Sequence, residues 1–302
     1  MNNSQKISFR FFGDREVRAV WDTDRNQWLF SVSDIVGILT DSENPRKYWS
    51  VLKTRLKSKY PELATTCSQL KMVSSDGKRY MTDCMAQKDI LSLMEKIPSR
   101  HAVEFTRWFL YSEDSIDGRS RSKAYELFES GLLSQAVPGT VQCLQQIHAY
   151  LFGGLYDFAG QIRTVNISKG DFTFAPAMFL VNSLRQIEAM PQGTFDEIVS
   201  KYVEMNVAHP FREGNGRSTR IWLDVILKAS LKRCVDWSRI NKKDYLDAMT
   251  ESPSDSSKIR SLLQSALTDR IDDREMFMKG VDYSYYYESS DASLEPPEEN
   301  LE

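Results

Sequence analysis

Residues 209–220 read His209-Pro-Phe-Arg-Glu-Gly-Asn-Gly-Arg217-Ser-Thr-Arg220, and this stretch decides how the chain around it must fold. Upstream, Phe195, Ile198, Val199, Tyr202, Val203, Met205 and Val207 recur at a helical period with one apolar face. Pro210 lacks an N–H and restricts the residue before it, so His209 is predicted at a helix end, its ring free to face a ligand. Downstream, Ile221, Trp222, Val225, Ile226, Leu227 and Leu231 begin a second apolar pattern. Gly214-Asn215-Gly216 is then the turn into a helix N-terminus, where unpaired N–H groups and the helix dipole favour an anion. Glycine on both sides of Asn215 is expected to give positive φ and close approach to a phosphate. Arg217 and Arg220 lie three apart and share a face that can reach phosphate oxygens. Glu213, acidic among cations, suits a Mg²⁺ bridging phosphates, and His209 suits a general base. Phosphoryl and nucleotidyl transfer need this set, because positioning and charge stabilisation supply most of the catalysis.

The string resembles the Fic family motif, His-x-Phe-x-(Asp/Glu)-Gly-Asn-Gly-Arg-x-x-Arg, at every defined position, and the resemblance extends over about residues 119–289. It implies a mainly α protein: an all-helical core that transfers AMP from ATP to a protein hydroxyl with Mg²⁺ and releases pyrophosphate. By that resemblance His209 deprotonates the target hydroxyl and Glu213 holds the metal. Asn215, with the backbone of Gly214 and Gly216, takes the α- and β-phosphates, helped by Arg217, and Arg220 takes the γ-phosphate. A lysine at the second glycine would suggest the phosphate-transferring Doc branch, and Gly216 argues against it.

Residues 165–174 alternate around Lys169-Gly170-Asp171 and predict a short hairpin. In Fic proteins a flap at this place holds the target by strand addition, which makes Ile167, Ser168, Lys169, Gly170, Asp171 and Phe172 candidate docking residues. Residues 144–163 resemble the family scaffold before the flap, with His148 as a packing residue. Near the C-terminus, a helix over about 272–288 carries Ser284-Tyr-Tyr-Tyr-Glu288. Ser284 and Glu288 are one helical turn apart. They resemble the Ser/Thr-x-x-x-Glu-(Gly/Asn) inhibitory helix of some Fic proteins, with Ser289 departing from the last position. The expected consequence is autoinhibition by Glu288 pairing with Arg220. Tyr285 is a candidate self-modification site if that helix unwinds.

Residues 1–112 read differently. β-formers cluster at 7–12, 17–21 and 28–32, with short helices expected at 34–39, 45–60 and 84–96, and a further hairpin around Asp76-Gly77. Asn44 before Pro45 is a good helix start. Arg18-Ala-Val-Trp21, Trp28-Leu-Phe-Ser-Val-Ser-Asp-Ile-Val36 and Asn44-Pro-Arg-Lys-Tyr-Trp49 resemble the Bro-N domain of phage antirepressor-like proteins, a family associated with DNA binding. This segment is expected to be a smaller α+β domain. It carries 18 Lys/Arg against 13 Asp/Glu, whereas the rest carries 21 against 29, giving the chain's −3. Six of the positive charges fall within residues 46–59 (Arg46, Lys47, Lys53, Arg55, Lys57, Lys59), a candidate DNA-facing helix with Trp49, Leu52 and Leu56 inward.

The 302 residues suit two domains, with a linker at about 113–122, the Fic part over 123–288, and an acidic tail over 289–302 expected to be disordered. No apolar run is long enough for a membrane span, and the first residues lack the apolar core of a signal peptide. Cys67, Cys84, Cys143 and Cys234 are scattered without a CxxC and suit a cytoplasmic protein with free thiols. Three histidines exclude a His-rich metal cluster. The leading expectation is a protein adenylyltransferase whose partner is a protein bearing an acceptor hydroxyl, by family analogy a type II topoisomerase subunit, with self-association as a further expectation. Two alternatives belong to other classes: a Bro-N DNA-binding regulator whose Fic part senses nucleotide, and an enzyme that removes AMP using the inhibitory glutamate.

Overall fold

The computed structural model describes residues 6–74, 78–169 and 172–289. It divides into two compact units, one running to Ser115 and one covering Ile116–Ser289. The architecture is mainly α, with an α+β N-terminal unit.

The N-terminal unit is built on an antiparallel sheet of β1 (Ile7–Phe12), β2 (Arg15–Asp22), β3 (Gln27–Ser31), β4 (Ser68–Val73) and β5 (Arg79–Ala86), in the order β1-β2-β3-β5-β4. Alternation along β2 sends Val17 and Ala19 into a core shared with the helices, and Val20 to the other face with Ile7, Phe9 and Leu29. The helices are α1 (Val32–Thr40), α2 (Pro45–Lys59), α3 (Pro61–Thr65), α4 (Gln87–Met94) and α5 (Ala102–Tyr111). Ser31 caps α1, and Asp34 in its first turn holds the guanidinium of Arg18 at 2.6 Å. The helix expected over 84–96 starts later. Cys84, Met85 and Ala86 pair with Ser31, Phe30 and Leu29 as the end of β5, an apolar run whose periodicity alone does not separate strand from helix. β4 and β5 form the expected hairpin, whose tip at Asp76-Gly77 lies outside the described residues.

α2 begins where expected. Asn44 Oδ1 accepts the Lys47 N–H at 3.1 Å ahead of Pro45, and Trp49 and Leu56 are buried. One of its six basic residues is not free: Lys53 Nζ donates to Asp83 at 2.7 Å, beside the Trp49 indole N–H on the same carboxylate. Arg46, Lys47, Arg55, Lys57 and Lys59 are exposed.

The second unit contains α6 (Ile116–Leu127), α7 (Leu132–Gln135), α8 (Val141–Phe152), the two-stranded hairpin β6 (Ser168–Lys169) and β7 (Phe172–Thr173), α9 (Ala177–Ala189), α10 (Phe195–Ala208) and α11 (Asn215–Leu231). A short pair, β8 (Cys234–Val235) with β9 (Leu267–Thr268), brackets a 3₁₀ turn at Trp237–Arg239, α12 (Lys242–Glu251) and α13 (Ser257–Ser265), and α14 (Arg274–Glu288) follows. α10 and α11 pack together, α8 and α14 flank α11, and α6 lies on α14. Much of the segment expected as a linker is therefore helix. Its small residues are not a flexible joint: Gly118 and Ser120 are buried, and the Tyr285 hydroxyl of α14 donates to Ser120 Oγ at 2.8 Å. Except for Ser289, the tail lies outside the described residues. Among the described residues no helix is long and apolar enough to cross a membrane.

Candidate active site

α10 starts with a capping box, Thr194 and Glu197 exchanging hydrogen bonds, and its apolar stripe buries Ile198, Val199, Tyr202, Val203 and Met205. It ends at His209, which takes the left-handed conformation (φ +48°) before Pro210. Arg163 fixes this end: buried, it donates to the carbonyls of Val165, Ala175, Ala208 and His209 at 2.6–3.0 Å, and its own N–H reaches Pro210 O at 2.8 Å. One guanidinium thus ties the base of the hairpin to the histidine. The His209 ring stacks on Phe174 with centroids 3.7 Å apart. Its Nδ1 lies 3.2 Å from Asn206 O, which can only accept, so the proton sits on Nδ1 and Nε2 keeps its lone pair. Burial pushes the pKa of His209 down to about 4, outweighing the Asn206 bond, and the ring is neutral near pH 7.

The loop to α11 is locked from within. Asn215 Oδ1 accepts the Phe211 N–H and Nδ2 donates to Phe211 O, both at 2.8 Å. The amide expected on phosphate is therefore committed to its own loop. Of the two glycines, Gly214 takes positive φ (+79°), where a Cβ would also strike Phe152 at 2.4 Å. Gly216 is already helical, and its requirement is space: a Cβ there would stand 2.0 Å from Glu288 Oε1. His148, read as a packing residue, stacks on Phe211 at 3.8 Å, bonds Glu213 O at 2.9 Å and accepts the Gly160 N–H at 2.8 Å.

Both arginines of the motif are buried and both are held by carboxylates. Arg220 donates from Nε to Ser284 Oγ (2.7 Å), from Nη2 to Ser284 O (2.8 Å) and Glu288 Oε1 (2.5 Å), and from Nη1 to the Tyr245 hydroxyl (3.2 Å). Burial pushes the Glu288 carboxyl up, but the Arg220 guanidinium overrides it and the net shift is downward. Arg217 pairs with Asp117 of α6 and with Glu213 Oε1 at 2.7 Å, and is sandwiched between the rings of Phe152 (4.9 Å) and Tyr285 (5.4 Å). Its Nε finds no hydrogen-bond partner among the described residues. Tyr285 is buried, and burial first of all pushes its hydroxyl up to about 12, so the self-modification candidate is closed off while α14 is docked. Ser289 ends α14 at φ −65°, so no glycine is required there, and Lys242 Nζ holds its carbonyl at 2.7 Å.

The hairpin forms as expected, Ser168 opposite Thr173 and Lys169 opposite Phe172, with Gly170 and Asp171 outside the described residues. Phe174 N–H reaches Ile167 O at 3.3 Å and continues the pairing toward His209. Sequence reasoning missed Asp117, Phe174, Tyr202 and Tyr245. Arg163 was legible as the end of a scaffold run, but nothing in its neighbours announces where it points.

The residues fit an anion. Glu213, whose side chain is 56% exposed, accepts the Gly214 N–H at the start of α11 at 2.8 Å and stands at the edge of the arginines. Among the described residues no cluster of three or more His, Cys, Asp or Glu could hold a metal ion.

Residues 138–227 match the Fic/DOC family profile. The probable protein adenylyltransferase Fic of Escherichia coli K12 is 30% identical over 149 residues, covering 43% of this chain and 72% of that protein. The chain belongs to the Fic/DOC family. Protein adenylyltransferase VbhT of Bartonella schoenbuchensis is 31% identical over 149 residues, 45% of this chain and 30% of VbhT. The probable protein adenylyltransferase y4lH of Sinorhizobium fredii is 28% identical over 118 residues, 35% of this chain and 61% of that protein. The chain thus spans less than two thirds of these last two relatives. Among solved structures, the Fic domain of a Bartonella sp. AR 15-3 effector protein aligns with TM-score 0.44 at 18% identity, over 51% of this chain and 82% of that one. BepC of Bartonella tribocorum, with bound AMPPNP, aligns with TM-score 0.38 at 21% identity, over 49% and 87%.

Proposed function

We propose that this protein transfers AMP from ATP to a side-chain hydroxyl of another protein and that α14 holds the activity off. The observation that carries the reading is the Glu288 carboxylate on buried Arg220, over the glycine that opens α11. An anion site closed by the chain's own anion is what a self-restrained phosphate-binding enzyme requires. In the released state ATP lies along the N-terminus of α11 with its γ-phosphate on Arg220 and its inner phosphates near Gly214, Gly216 and Arg217. Glu213 would hold Mg²⁺, which neutralises charge on the phosphates when bound. His209 Nε2 takes the proton as the target oxygen bonds to the α-phosphorus and the bond to the leaving pyrophosphate breaks. The outward edge of the hairpin, among the candidate docking residues Ile167, Ser168, Lys169 and Phe172, holds the target backbone by strand addition.

The test is label transfer from α-labelled ATP with Mg²⁺ into bacterial lysate protein. Glu288→Gly is expected to label a protein strongly, and His209→Ala in that background to abolish the label. If the wild-type protein removes AMP from modified protein and Glu288→Gly abolishes that removal without raising transfer, the glutamate serves the reverse reaction and the restraint reading fails. For the N-terminal unit we propose a Bro-N-like module that meets nucleic acid through the five exposed basic residues of α2, beside a groove of about 340 Å³ lined by Lys47, Tyr48 and Arg55. Binding of duplex DNA that survives His209→Ala and falls with added salt is the expected result.

A further inference from the structure

Arg220 has one partner outside α14 among the described residues, and that partner is Tyr245. Its other three hydrogen bonds go to Ser284 and Glu288, and one of the two rings flanking the guanidinium is Tyr287, also of α14. When α14 withdraws, Arg220 keeps the Tyr245 hydroxyl and the Tyr245 ring, 5.5 Å from its central carbon. Tyr245 is itself fixed. It is 3% exposed on α12, and its hydroxyl lies 2.6 Å from that of Tyr202, a fully enclosed residue on the helix that ends at His209. Its ring stacks on Tyr287 of α14 at 4.9 Å, a contact that goes with the helix, and packs edge-on to Trp237 at 5.7 Å, a contact that stays.

We infer that Tyr245 is the positioning residue that keeps Arg220 aimed at the γ-phosphate once the inhibitory helix has left. An arginine side chain has several rotatable bonds, and holding it in one geometry costs rotamer entropy at the moment of binding unless a neighbour has already fixed it. The Tyr202–Tyr245 pair supplies that fixed neighbour and ties Arg220 to the helix bearing the general base. The inference rests on the reading of Arg220 as the γ-phosphate ligand.

The experiment measures dissociation constants of the Mg²⁺ complexes of AMPPNP and ADP, using the full chain in the Glu288→Gly background. Adding Tyr245→Phe is expected to weaken AMPPNP binding about tenfold, as loss of a hydrogen bond to a charged group does, and to leave ADP unchanged. Tyr202→Phe leaves the Tyr245 oxygen in place without its fixed neighbour, and a smaller loss confined to AMPPNP is expected. A merely structural role would move both nucleotides together, so equal losses, or no loss with either variant, overturn the proposal. Arg220→Ala separates the two readings. If it abolishes the preference for the triphosphate while Tyr245→Phe and Tyr202→Phe preserve it, the positioning role alone is wrong. If Arg220→Ala also preserves the preference, the γ-phosphate assignment fails and this inference fails with it.

Discussion

Replacing Glu288 by glycine should move stability and nucleotide affinity in opposite directions, and both magnitudes follow from the site. Arg220 is 2% exposed and Glu288 23%, so the pair is little screened by water. Removing the carboxylate leaves a buried guanidinium with neutral partners, Ser284 and Tyr245. Breaking a buried pair from one side costs about 3 kcal/mol or more, and for a unit of this size that lowers Tm by roughly 5–10 °C. ATP gains what the apo protein loses, because the γ-phosphate no longer has to displace a carboxylate. A charge-assisted hydrogen bond worth about 2–3 kcal/mol corresponds to roughly 30- to 150-fold tighter binding. ADP, lacking the γ-phosphate, should gain far less. Scanning fluorimetry and calorimetry with AMPPNP read both quantities on one preparation. A nucleotide present at 100 times its dissociation constant restores about 2.7 kcal/mol, so the thermal deficit of the variant should largely close with AMPPNP. If Tm and AMPPNP affinity both stay at the wild-type values, Glu288 does not engage Arg220 in solution. If AMPPNP and ADP gain equally, the glutamate acts by bulk and the charge argument is wrong.

Three further outcomes follow from the same geometry. Asp117→Asn weakens the second carboxylate clamp, on Arg217, and should tighten nucleotide binding about three- to tenfold in the Glu288→Gly background; weaker binding by calorimetry would make Asp117 a support for Arg217 instead. His209 and His148 are both held at about 4 by burial, below the roughly 6.5 of an unfolded chain. The unfolded chain therefore binds more protons between about pH 6.5 and 4, and Tm should fall as pH drops through that window; Glu288, held below the ordinary carboxylate range, adds a further loss only below about pH 4.5. A Tm unchanged between pH 7.5 and 4.5 would mean the two rings are solvated. Gly216→Ala would place a methyl 2.0 Å from the Glu288 oxygen, so it should expel the carboxylate while also obstructing phosphate; calorimetry should find nucleotide binding no tighter than wild type, unlike Glu288→Gly.

The parts of the site visible in the sequence are those whose chemistry depends on local spacing. His209 ahead of Pro210, the glycine turn and two arginines three apart declare their roles within twelve residues, because one helix end and the next helix start bring them together. Glu288 was legible for the same reason, through Ser284 four residues before it. Contacts made across long sequence separation were not. Asp117 meets Arg217 across 100 residues and Tyr245 meets Arg220 across 25, and neither lies in a pattern that distinguishes it from an ordinary surface aspartate or core tyrosine. The joint, whose boundary between Ser115 and Ile116 does fall inside the expected segment, continues as helix around Gly118 and Ser120 for a related cause. Small and polar residues mark both flexible chain and close helix packing, and only the presence of Tyr285 opposite Ser120 separates the two. The same holds for Gly216, whose need for a missing Cβ comes from a residue 72 positions away and not from its own φ.

On the proposed reading, loss of the Glu288 contact relieves the charge on Arg220, but a rotamer change alone does not fully open the site. A rotamer change at Glu288 would free one hydrogen bond of Arg220, but Ser284 would still hold its Nε and Nη2, and Tyr287 would still cover one face. Arg217 would remain roofed by Tyr285, which is anchored to Ser120. Both arginines open together only if the last turn and a half of α14 moves. The N-terminal half has independent holds: Asp273 caps it, and Asp282 accepts the Tyr125 hydroxyl of α6. Movement confined to residues after Asp282 would therefore uncover the anion site without undocking the helix. It would also expose Tyr285 in the same step, because the ring that covers Arg217 carries the hydroxyl now buried against Ser120. If ATP binds as proposed, access of nucleotide and exposure of that tyrosine are one structural change, and seating ATP on both arginines brings Tyr285 within reach of solvent.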